Sequence, residues 1–238
     1  MKSFLVVANL KMNLSAKQLI PYLNKINSYS KNNLVICPTS IYIPYFLKHS
    51  YKVGIQNVFY ENEGSYTGEI SPFQASSLGI EYAIVGHSNR RILFHETDLE
   101  IHKKITKCLE KKLKVVACIG ETLEEKNMMK TSSVLKKQIM MDLRGIQDLS
   151  NVYIAYEPVW AIGSKKVPSN QDIKDTVNYI KELVMELNQY ENVKVLYGGS
   201  IDEENIELIT KISNIDGILL GNSALNAEQL LAIMKKCK

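Results

Sequence analysis

Several polar residues follow apolar segments of the chain, and their types suit proton transfer on a small anion. Glu157 ends the run "YIAYE", and His87 follows "YAIVG". A buried carboxylate without a partner has a raised pKa, which suits a general base, and a neutral imidazole can both donate and accept a proton. Asn9 and Lys11 lie close together in "ANLKMN". An extended segment would aim both side chains at the same anion.

Each of these residues also has an ordinary structural interpretation. Glu157 could pair with a basic residue on a neighbouring helix, Lys11 could be exposed, and Asn9 could lie in a turn. A lone histidine is more often structural than catalytic, and we give that interpretation to His49, His95 and His102. His87 differs because it lies between a buried strand and a helix start, where the helix dipole favours the neutral ring.

Small residues follow two later apolar segments and could bind a phosphate. "YGGS" (197–200) contains Ser200, and "LLGNS" (219–223) contains Gly221 and Asn222. Glycines allow main-chain N–H groups to approach a phosphate closely, although one such turn alone is weak evidence. The small-residue stretch "AIGSK" (161–165), with Gly163, lies between stiffer segments, which is typical of a lid.

Strand-like and helix-like patterns alternate along the whole chain. The strand-like runs are apolar on both parities, which indicates strands buried on both faces of a parallel sheet. These runs are Phe4–Ala8, Leu34–Cys37, Val53–Gln56, Tyr82–Val85, Val115–Ile119, Val152–Tyr156, Val193–Tyr197 and Gly217–Leu220. Eight alternations without a linker predict one (β/α)8 barrel of the α/β class over residues 1–238, with a doubly wound open sheet as the rival.

Helix signals separate the strand-like runs. Ser169 with Asp172, and Thr97 with Glu100, have capping-box spacing, and Asn226 is a suitable N-cap for the last helix. In a (β/α)8 barrel, functional side chains lie on the loops that leave the carboxyl ends of the strands. The polar residues described above all occupy such loops.

Composition excludes several classes of function. The chain has 238 residues, a net charge of +4 and 45% hydrophobic residues, values that are ordinary for a globular enzyme and far from those of a nucleic-acid-binding protein. The four cysteines show no metal-ligand spacing, so we expect reduced, buried thiols and a cytoplasmic location. No run is long enough to be a signal peptide core or a membrane span.

Six motifs occur in one order along the chain: "N-x-K-M-N", "GHS-x-RR", "CIGE", "AYEPVWAIG", "YGGS" and "DG-x-L-x-G". In this order and approximate spacing, they resemble the triosephosphate isomerase family essentially from end to end. The resemblance implies a TIM barrel that interconverts dihydroxyacetone phosphate and glyceraldehyde 3-phosphate in glycolysis and gluconeogenesis. It implies no cofactor and no metal. Another phosphate-binding barrel, such as an aldolase-type or indole-glycerol-phosphate-type enzyme, is disfavoured, because the residue sets typical of those enzymes are absent here and Glu157 is present with its lid.

The resemblance also implies roles for individual residues. Glu157 matches the base that moves a carbon-bound proton, and His87 matches the neutral electrophile. Lys11, assisted by Asn9, matches the lysine that stabilises the enediolate and the phosphate. The phosphate would be held by main-chain N–H groups of Gly163, Ser200, Gly221 and Asn222.

The family is usually homodimeric, and residues 56–69 resemble the long third loop that reaches into the partner subunit. Thr67 would then lie near the neighbouring active site. No nucleic acid or membrane partner is implied. Arg90 and Arg91 are expected to tie the loop after the fourth strand to its neighbours.

Asn89 is the main departure from the family, which nearly always has a glutamate after "GHS". We expect a working isomerase whose turnover is lowered by roughly 10- to 1,000-fold, because an amide lacks the negative charge beside Lys11. The alternative is a weakened barrel kept as a binding protein. Glu96 could supply the missing carboxylate, and Cys118 lies near the same strand ends.

Four lesser departures concern packing, the lid and the phosphate turn. They are Leu10 for a common tryptophan, Lys165 for a common glycine, Pro168 for a common alanine, and Asn222 for the second glycine of the phosphate turn. Pro168 fixes φ at the far hinge of the lid, so the lid's motion is expected to differ from the family's. Asn222 tolerates a positive φ, so the phosphate turn is expected to survive.

Overall fold

In a computed structural model that describes residues 4–27, 33–49, 51–164 and 167–237, eight parallel strands close into a barrel in sequence order. The strands are β1 Leu5–Asn9, β2 Leu34–Cys37, β3 Lys52–Ile55, β4 Tyr82–Val85, β5 Lys114–Ile119, β6 Val152–Tyr156, β7 Lys194–Tyr197 and β8 Gly217–Leu220. The barrel closes where Leu5–Ala8 pair with Gly217–Leu220. The predicted (β/α)8 barrel is therefore confirmed, and the open sheet is excluded. Six boundaries, in four of the strands, differ from the prediction by one residue.

The strands are apolar on both parities because each one separates two hydrophobic regions. Leu5 and Val7 of β1 belong to the cluster inside the barrel, whereas Val6 and Ala8 pack outward against the helices. All of these β1 residues are buried. The interior is thus filled by side chains, and an open site can form only at the ends of the strands.

Helices surround the barrel, and ten α-helices fall within the ranges described above. They are α1 Ala16–Ile26, α2 Ile43–Phe46, α3 Pro72–Ser77, α4 Ser88–Leu93, α5 Asp98–Glu110, α6 Leu123–Asn127, α7 Thr131–Asp142, α8 Asn170–Asn188, α9 Ile206–Thr210 and α10 Ala227–Lys236.

The predicted helix starts are confirmed. Thr97 accepts from the Glu100 N–H at the start of α5, and Ser169 does the same with Asp172 at the start of α8. Asn226 accepts from two N–H groups at the start of α10. Each side-chain oxygen satisfies a donor that the first helical turn leaves unpaired.

Residues 56–69 form a long loop after β3 that contains no helix or strand. Phe59 packs against Tyr60 and Tyr66 inside this loop, with ring centroids 4.2 Å and 4.6 Å apart. The Phe59 N–H donates to the Ile70 carbonyl at 2.8 Å. The loop is therefore held in one conformation, although Thr67 near its tip is exposed.

All four cysteines are buried, as predicted, and none of them forms a disulfide within the described residues. Within the described ranges, no cluster of ligating side chains could hold a metal ion. No helix in the same ranges is both long enough and apolar enough to cross a membrane.

Candidate active site

Lys11 reaches the barrel mouth through a sharp turn of the backbone after β1. Its φ is 52°, so the segment is not extended. The sequence had suggested an extended segment. The Lys11 N–H donates to Asn9 Oδ1 at 3.0 Å, and the Lys11 carbonyl accepts from Gln56 Nε2 at 2.8 Å and Thr39 Oγ1 at 3.0 Å. Asn9 therefore holds the backbone of Lys11, and the extended-segment argument for this pair was wrong.

His87 is the N-cap of α4, and its ring takes part in the capping. The Asn89 N–H donates to His87 Nδ1 at 3.1 Å. A ring nitrogen that accepts a hydrogen bond carries no proton, so the remaining proton of the ring lies on Nε2. His87 Nε2 is 3.1 Å from Glu157 Oε1. The contact is thus an N–H···O bond from a neutral ring, since a doubly protonated ring could not accept at Nδ1.

Glu157 follows β6 and is 2% exposed. His87 Nε2 donates to one carboxylate oxygen, and the Ser88 N–H donates to the other at 2.9 Å. The main chain is fixed as well, because the Glu157 N–H donates to the Ile119 carbonyl at 2.7 Å. A Cβ on Gly120 would lie 1.8 Å from the Glu157 carbonyl oxygen, so only glycine fits there.

The pKa of the Glu157 carboxyl lies below its ordinary value. Burial, the largest single influence, raises it, but the attraction of the His87 Nε2–H, which donates to the carboxylate, acts in the opposite direction. The Ser88 N–H and the charge of Lys11 lower it further. The expectation of an unpartnered carboxylate with a raised pKa is therefore wrong for this arrangement, in which both oxygens have donors.

One pocket at the barrel mouth brings together most of the predicted site residues. It is lined by Lys11, His87, Glu157, Gly163, Ser200, Gly221 and Asn222, among others. Asn9 lies beside it, in an adjoining cleft that Lys11, His87 and Asn89 also line. Residues that are far apart in sequence thus meet at one face of the barrel, as its topology requires.

The loops after β7 and β8 present unused main-chain donors to this pocket. In the described parts of the chain, the N–H groups of Ser200, Gly221 and Asn222 make no hydrogen bond, and neither does that of Gly199. A Cβ on Gly221 would lie 3.5 Å from Lys11 Nζ, so the ammonium group is next to this turn. Free N–H groups beside a lysine are suited to a phosphate.

A 3₁₀ turn at Val159–Ala161 leads into the segment 161–165 that was predicted to be a lid. Trp160 Nε1 donates to Glu121 Oε1 at 2.7 Å, and the Lys126 ammonium lies 3.1 Å from the centre of the Trp160 ring. Gly163 has a φ of 66° and is exposed. The flank that precedes the predicted lid is therefore anchored, and Gly163 lies at the surface.

Asn89 lines the cleft beside Lys11, and Glu96 does not replace the missing carboxylate there. Glu96 Oε1 contacts Lys104 Nζ and lies 3.3 Å from Arg90 Nε. The glutamate is buried with these two cations and makes no contact with Lys11. The proposed compensation by Glu96 is therefore absent from this structure.

The remaining predicted positions have clear surroundings. Cys118 is buried inside the barrel, and burial together with the nearby Glu157 carboxylate raises the pKa of its thiol well above the ordinary value. Leu10 is 1% exposed and belongs to the outer core. Pro168 is buried just before α8. Lys165 lies outside the described residues.

The sequence did not reveal two contributors to this site. The Ser88 N–H holds Glu157, and Gly199 lines the pocket with a free N–H. Both are main-chain N–H donors, and the type of a residue does not indicate whether its N–H is used. The motifs "GHS" and "YGGS" contained these residues, so a search for backbone donors at helix starts and glycine turns could have found them.

Replacing Ser88 with proline should raise the pKa of the Glu157 carboxyl, because proline has no N–H to donate. The site tolerates proline, since Ser88 is the first residue of α4 and His87 has φ −52° and ψ 140°. A ¹³C-NMR titration of the Glu157 carboxyl would measure the change.

Ser88→Ala is the matched control, because it removes the hydroxyl and keeps the N–H. Since its folded-state pKa is lowered, Glu157 stabilises the fold at neutral pH, and this contribution is lost as the pH falls through the folded-state pKa. We expect Ser88→Pro to lose part of that contribution. Identical titrations of the proline and alanine variants would show that the Ser88 N–H does not set the acidity of Glu157.

Comparisons with known proteins identify the family of the chain. Residues 4–237 match the family model described as triosephosphate isomerase. The chain is 39% identical to the triosephosphate isomerase of Thermodesulfovibrio yellowstonii, covering 97% of this chain and 98% of the relative. It is 37% identical to that of Alkaliphilus metalliredigens, covering 98% and 99%. The chain therefore belongs to the triosephosphate isomerase family.

Proposed function

We propose that this enzyme interconverts dihydroxyacetone phosphate and D-glyceraldehyde 3-phosphate through an enediolate, with Glu157 as the base and His87 as the electrophile. The observation that carries the proposal is the shared pocket, which joins this Glu–His pair to Lys11 and to free N–H groups after β7 and β8. One base, one electrophile and one cation around a small anion are what this reaction needs.

Glu157 would gain basicity when the substrate enters. In the present arrangement both of its oxygens accept hydrogen bonds, which lowers its pKa and makes it a poor base. A substrate that competes for His87 Nε2 would free one oxygen, and exclusion of water would remove further stabilisation of the charge. The carboxylate could then take the proton from one carbon and return it to the neighbouring carbon.

His87 would polarise the substrate oxygens as a neutral donor. Its Nε2–H faces the pocket, while Nδ1 is occupied by the Asn89 N–H. A neutral imidazole can donate to a carbonyl and then exchange the proton between the two oxygens of the enediolate. An imidazolium would be a stronger acid but a weaker partner for returning the proton.

Lys11 would neutralise the developing enediolate and part of the phosphate charge, with Asn9 holding its backbone. The phosphate would bind to the main-chain N–H groups of Ser200, Gly221 and Asn222, and to Gly163 after the lid closes. Closure would exclude water, which limits loss of phosphate from the intermediate. We further propose that the reaction serves glycolysis and gluconeogenesis in the cytoplasm.

Glu157→Gln is the direct test of the proposed reaction. In a coupled assay with glyceraldehyde 3-phosphate, we expect turnover to fall by roughly 10³-fold or more, because the amide cannot accept the proton. Glu186→Gln, an exposed change on α8, should leave turnover unchanged. If the unaltered protein binds the substrate without isomerising it, the binding-protein alternative would replace this proposal.

We also propose that the enzyme is a homodimer in which residues 56–69 contact the partner subunit. The cleft beside Lys11 is open and is lined by apolar residues, including Met12, Leu93 and Phe94. Met12 is 92% exposed, and Phe94 is 65% exposed. Burial of such side chains against a partner would stabilise a dimer. The exposed Thr67 of a partner would lie near this cleft.

Met12→Asp should convert dimers into monomers, because it places a charge in the proposed interface. Sedimentation equilibrium at micromolar protein concentration would measure the mass. Met129→Asp is a matched control, since Met129 is equally exposed at 92% but lies between α6 and α7. A parent protein that sediments as a monomer would contradict the proposal.

Asn89 would limit turnover, because the cleft beside Lys11 holds an amide where the family has a carboxylate. Asn89→Glu should therefore raise kcat by roughly 10- to 1,000-fold. Asn89→Gln is the control, since it has the same length as glutamate without the charge. Steady-state kinetics that give the same kcat for the parent and both variants would show that this position does not limit the rate.

A further inference from the structure

Arg91 connects two strands of the barrel just beyond the end of their pairing. The β4–β5 ladder has its last pair at Val85 and Ala117. Beyond it, Arg91 Nε donates to the Gly86 carbonyl at 2.9 Å, and Arg91 Nη2 donates to the Cys118 carbonyl at 3.1 Å. One guanidinium thus replaces a rung of the ladder where the strands give way to the active-site loops.

Gly86 allows the guanidinium to lie this close. Its φ is 71°, and an added Cβ would lie 3.2 Å from Arg91 Nη2 and 3.3 Å from the Cys118 carbonyl oxygen. A side chain would be strained by the backbone conformation and would crowd the guanidinium. The glycine of "GHS-x-RR" and its second arginine therefore form one structural unit.

Both residues of the proposed acid–base pair are attached directly to this unit. Gly86 immediately precedes His87. Cys118 precedes Ile119, whose carbonyl accepts the Glu157 N–H at 2.7 Å. A shift of the guanidinium would therefore change the separation of His87 and Glu157, on which their 3.1 Å contact depends.

Two carboxylates contact the guanidinium of Arg91, and each contacts a different nitrogen. Asp98 Oδ1, at the start of α5, lies 2.5 Å from Arg91 Nη1, which forms no hydrogen bond to either strand among the described residues. Asp142 Oδ2, at the end of α7, lies 2.6 Å from Arg91 Nη2, the nitrogen that also donates to Cys118. Asp142 is 1% exposed. Asp142 therefore fixes the donor that joins α4 to β5.

We propose that Arg91 is a positioning residue for His87 and Glu157, and that Asp142 on α7 anchors it. The inference deepens the proposed function and rests on its assignment of the acid–base pair. Arg91 does not line the pocket that contains Lys11 and the free main-chain N–H groups, so it acts on the reaction through the two residues that it spaces.

The charge state of Asp142 bears on how firmly it holds Arg91. Burial raises the pKa of Asp142 to about 7, Arg91 opposes that rise, and the charges of Asp98 and Glu96 add to it.

Two further groups face this cluster: His102 Nδ1 is 3.2 Å from the Asp142 carbonyl oxygen, and Lys137 Nζ is 4.0 Å from Asp98 Oδ2. Asp142 is thus ionised above about pH 7 and neutral below it. The ion pair weakens as the pH falls.

Asp142→Asn and Asp98→Asn form a matched pair of variants, because each removes one negative charge from the same guanidinium and keeps an oxygen acceptor. At pH 8, we expect Asp142→Asn to lower kcat by roughly 3- to 30-fold with KM within about twofold, since a small misplacement of reacting groups lowers rate more than binding. Asp98→Asn should stay within about twofold of the parent in both constants.

The pH profile separates positioning from general stability. The parent should lose kcat as the pH falls through about 7, and Asp98→Asn should show the same step at a lower pH, because the Asp98 charge raises the pKa of Asp142. Asp142→Asn should lack this step. The pKa of Asp142 is raised in the folded state, so the ionised carboxylate, which predominates above about pH 7, destabilises the fold relative to the neutral carboxyl. Asp142→Asn should therefore not unfold more readily than the parent at pH 8, so its lower kcat could not result from unfolding.

A second readout does not depend on activity. The imidazole ¹⁵N signals of His87 should shift in Asp142→Asn and stay unchanged in Asp98→Asn. Unchanged His87 signals and a parental pH profile in Asp142→Asn would overturn the inference, even if Glu157→Gln abolishes isomerisation. Loss of the proposed function alone would instead show as an inactive parent whose His87 signals still respond to Asp142→Asn.

Discussion

The hydrogen bond from the Asn89 N–H to His87 Nδ1 is the constraint on which the site depends. At 3.1 Å it uses the acceptor nitrogen of the ring and leaves the proton on Nε2, facing Glu157. The next donor of the same helix start, the Ser88 N–H, holds the other end of the carboxylate. The first turn of α4 therefore sets the tautomer of the imidazole and, together with the charge of Lys11, lowers the pKa of the base.

This arrangement requires each buried charge to have a hydrogen-bond donor or a partner of opposite charge. Glu157 is stabilised by His87 and Lys11, and the cations of the neighbouring loop have their own carboxylates, in Glu96 for Arg90 and in Asp98 with Asp142 for Arg91. A carboxylate left alone at such burial would be protonated instead. Glu96 cannot pair with Lys11, because its carboxylate already forms ion pairs with Lys104 and Arg90 in a separate cluster.

The sequence predicted the barrel and most of the residues around its mouth, because strands buried on both faces and helix caps have local signatures. It could not predict the left-handed backbone of Lys11, which depends on Gln56 and Thr39 from other strands' loops. It also led to a raised pKa for Glu157, since donors from another loop are invisible in "AYEPVWAIG". The contact between Arg91 and Asp142 joins residues far apart in sequence, and no local pattern indicates it.

The tautomer of His87 tests the central claim most directly. Selective ¹⁵N labelling of histidine, with His87→Gln used to assign the signal, would distinguish the two ring nitrogens at pH 8. We expect Nε2 to appear as the protonated nitrogen and Nδ1 as a bare nitrogen shifted by its hydrogen bond. A proton on Nδ1, or on both nitrogens, would contradict the claim that the start of α4 prepares a neutral donor for the substrate.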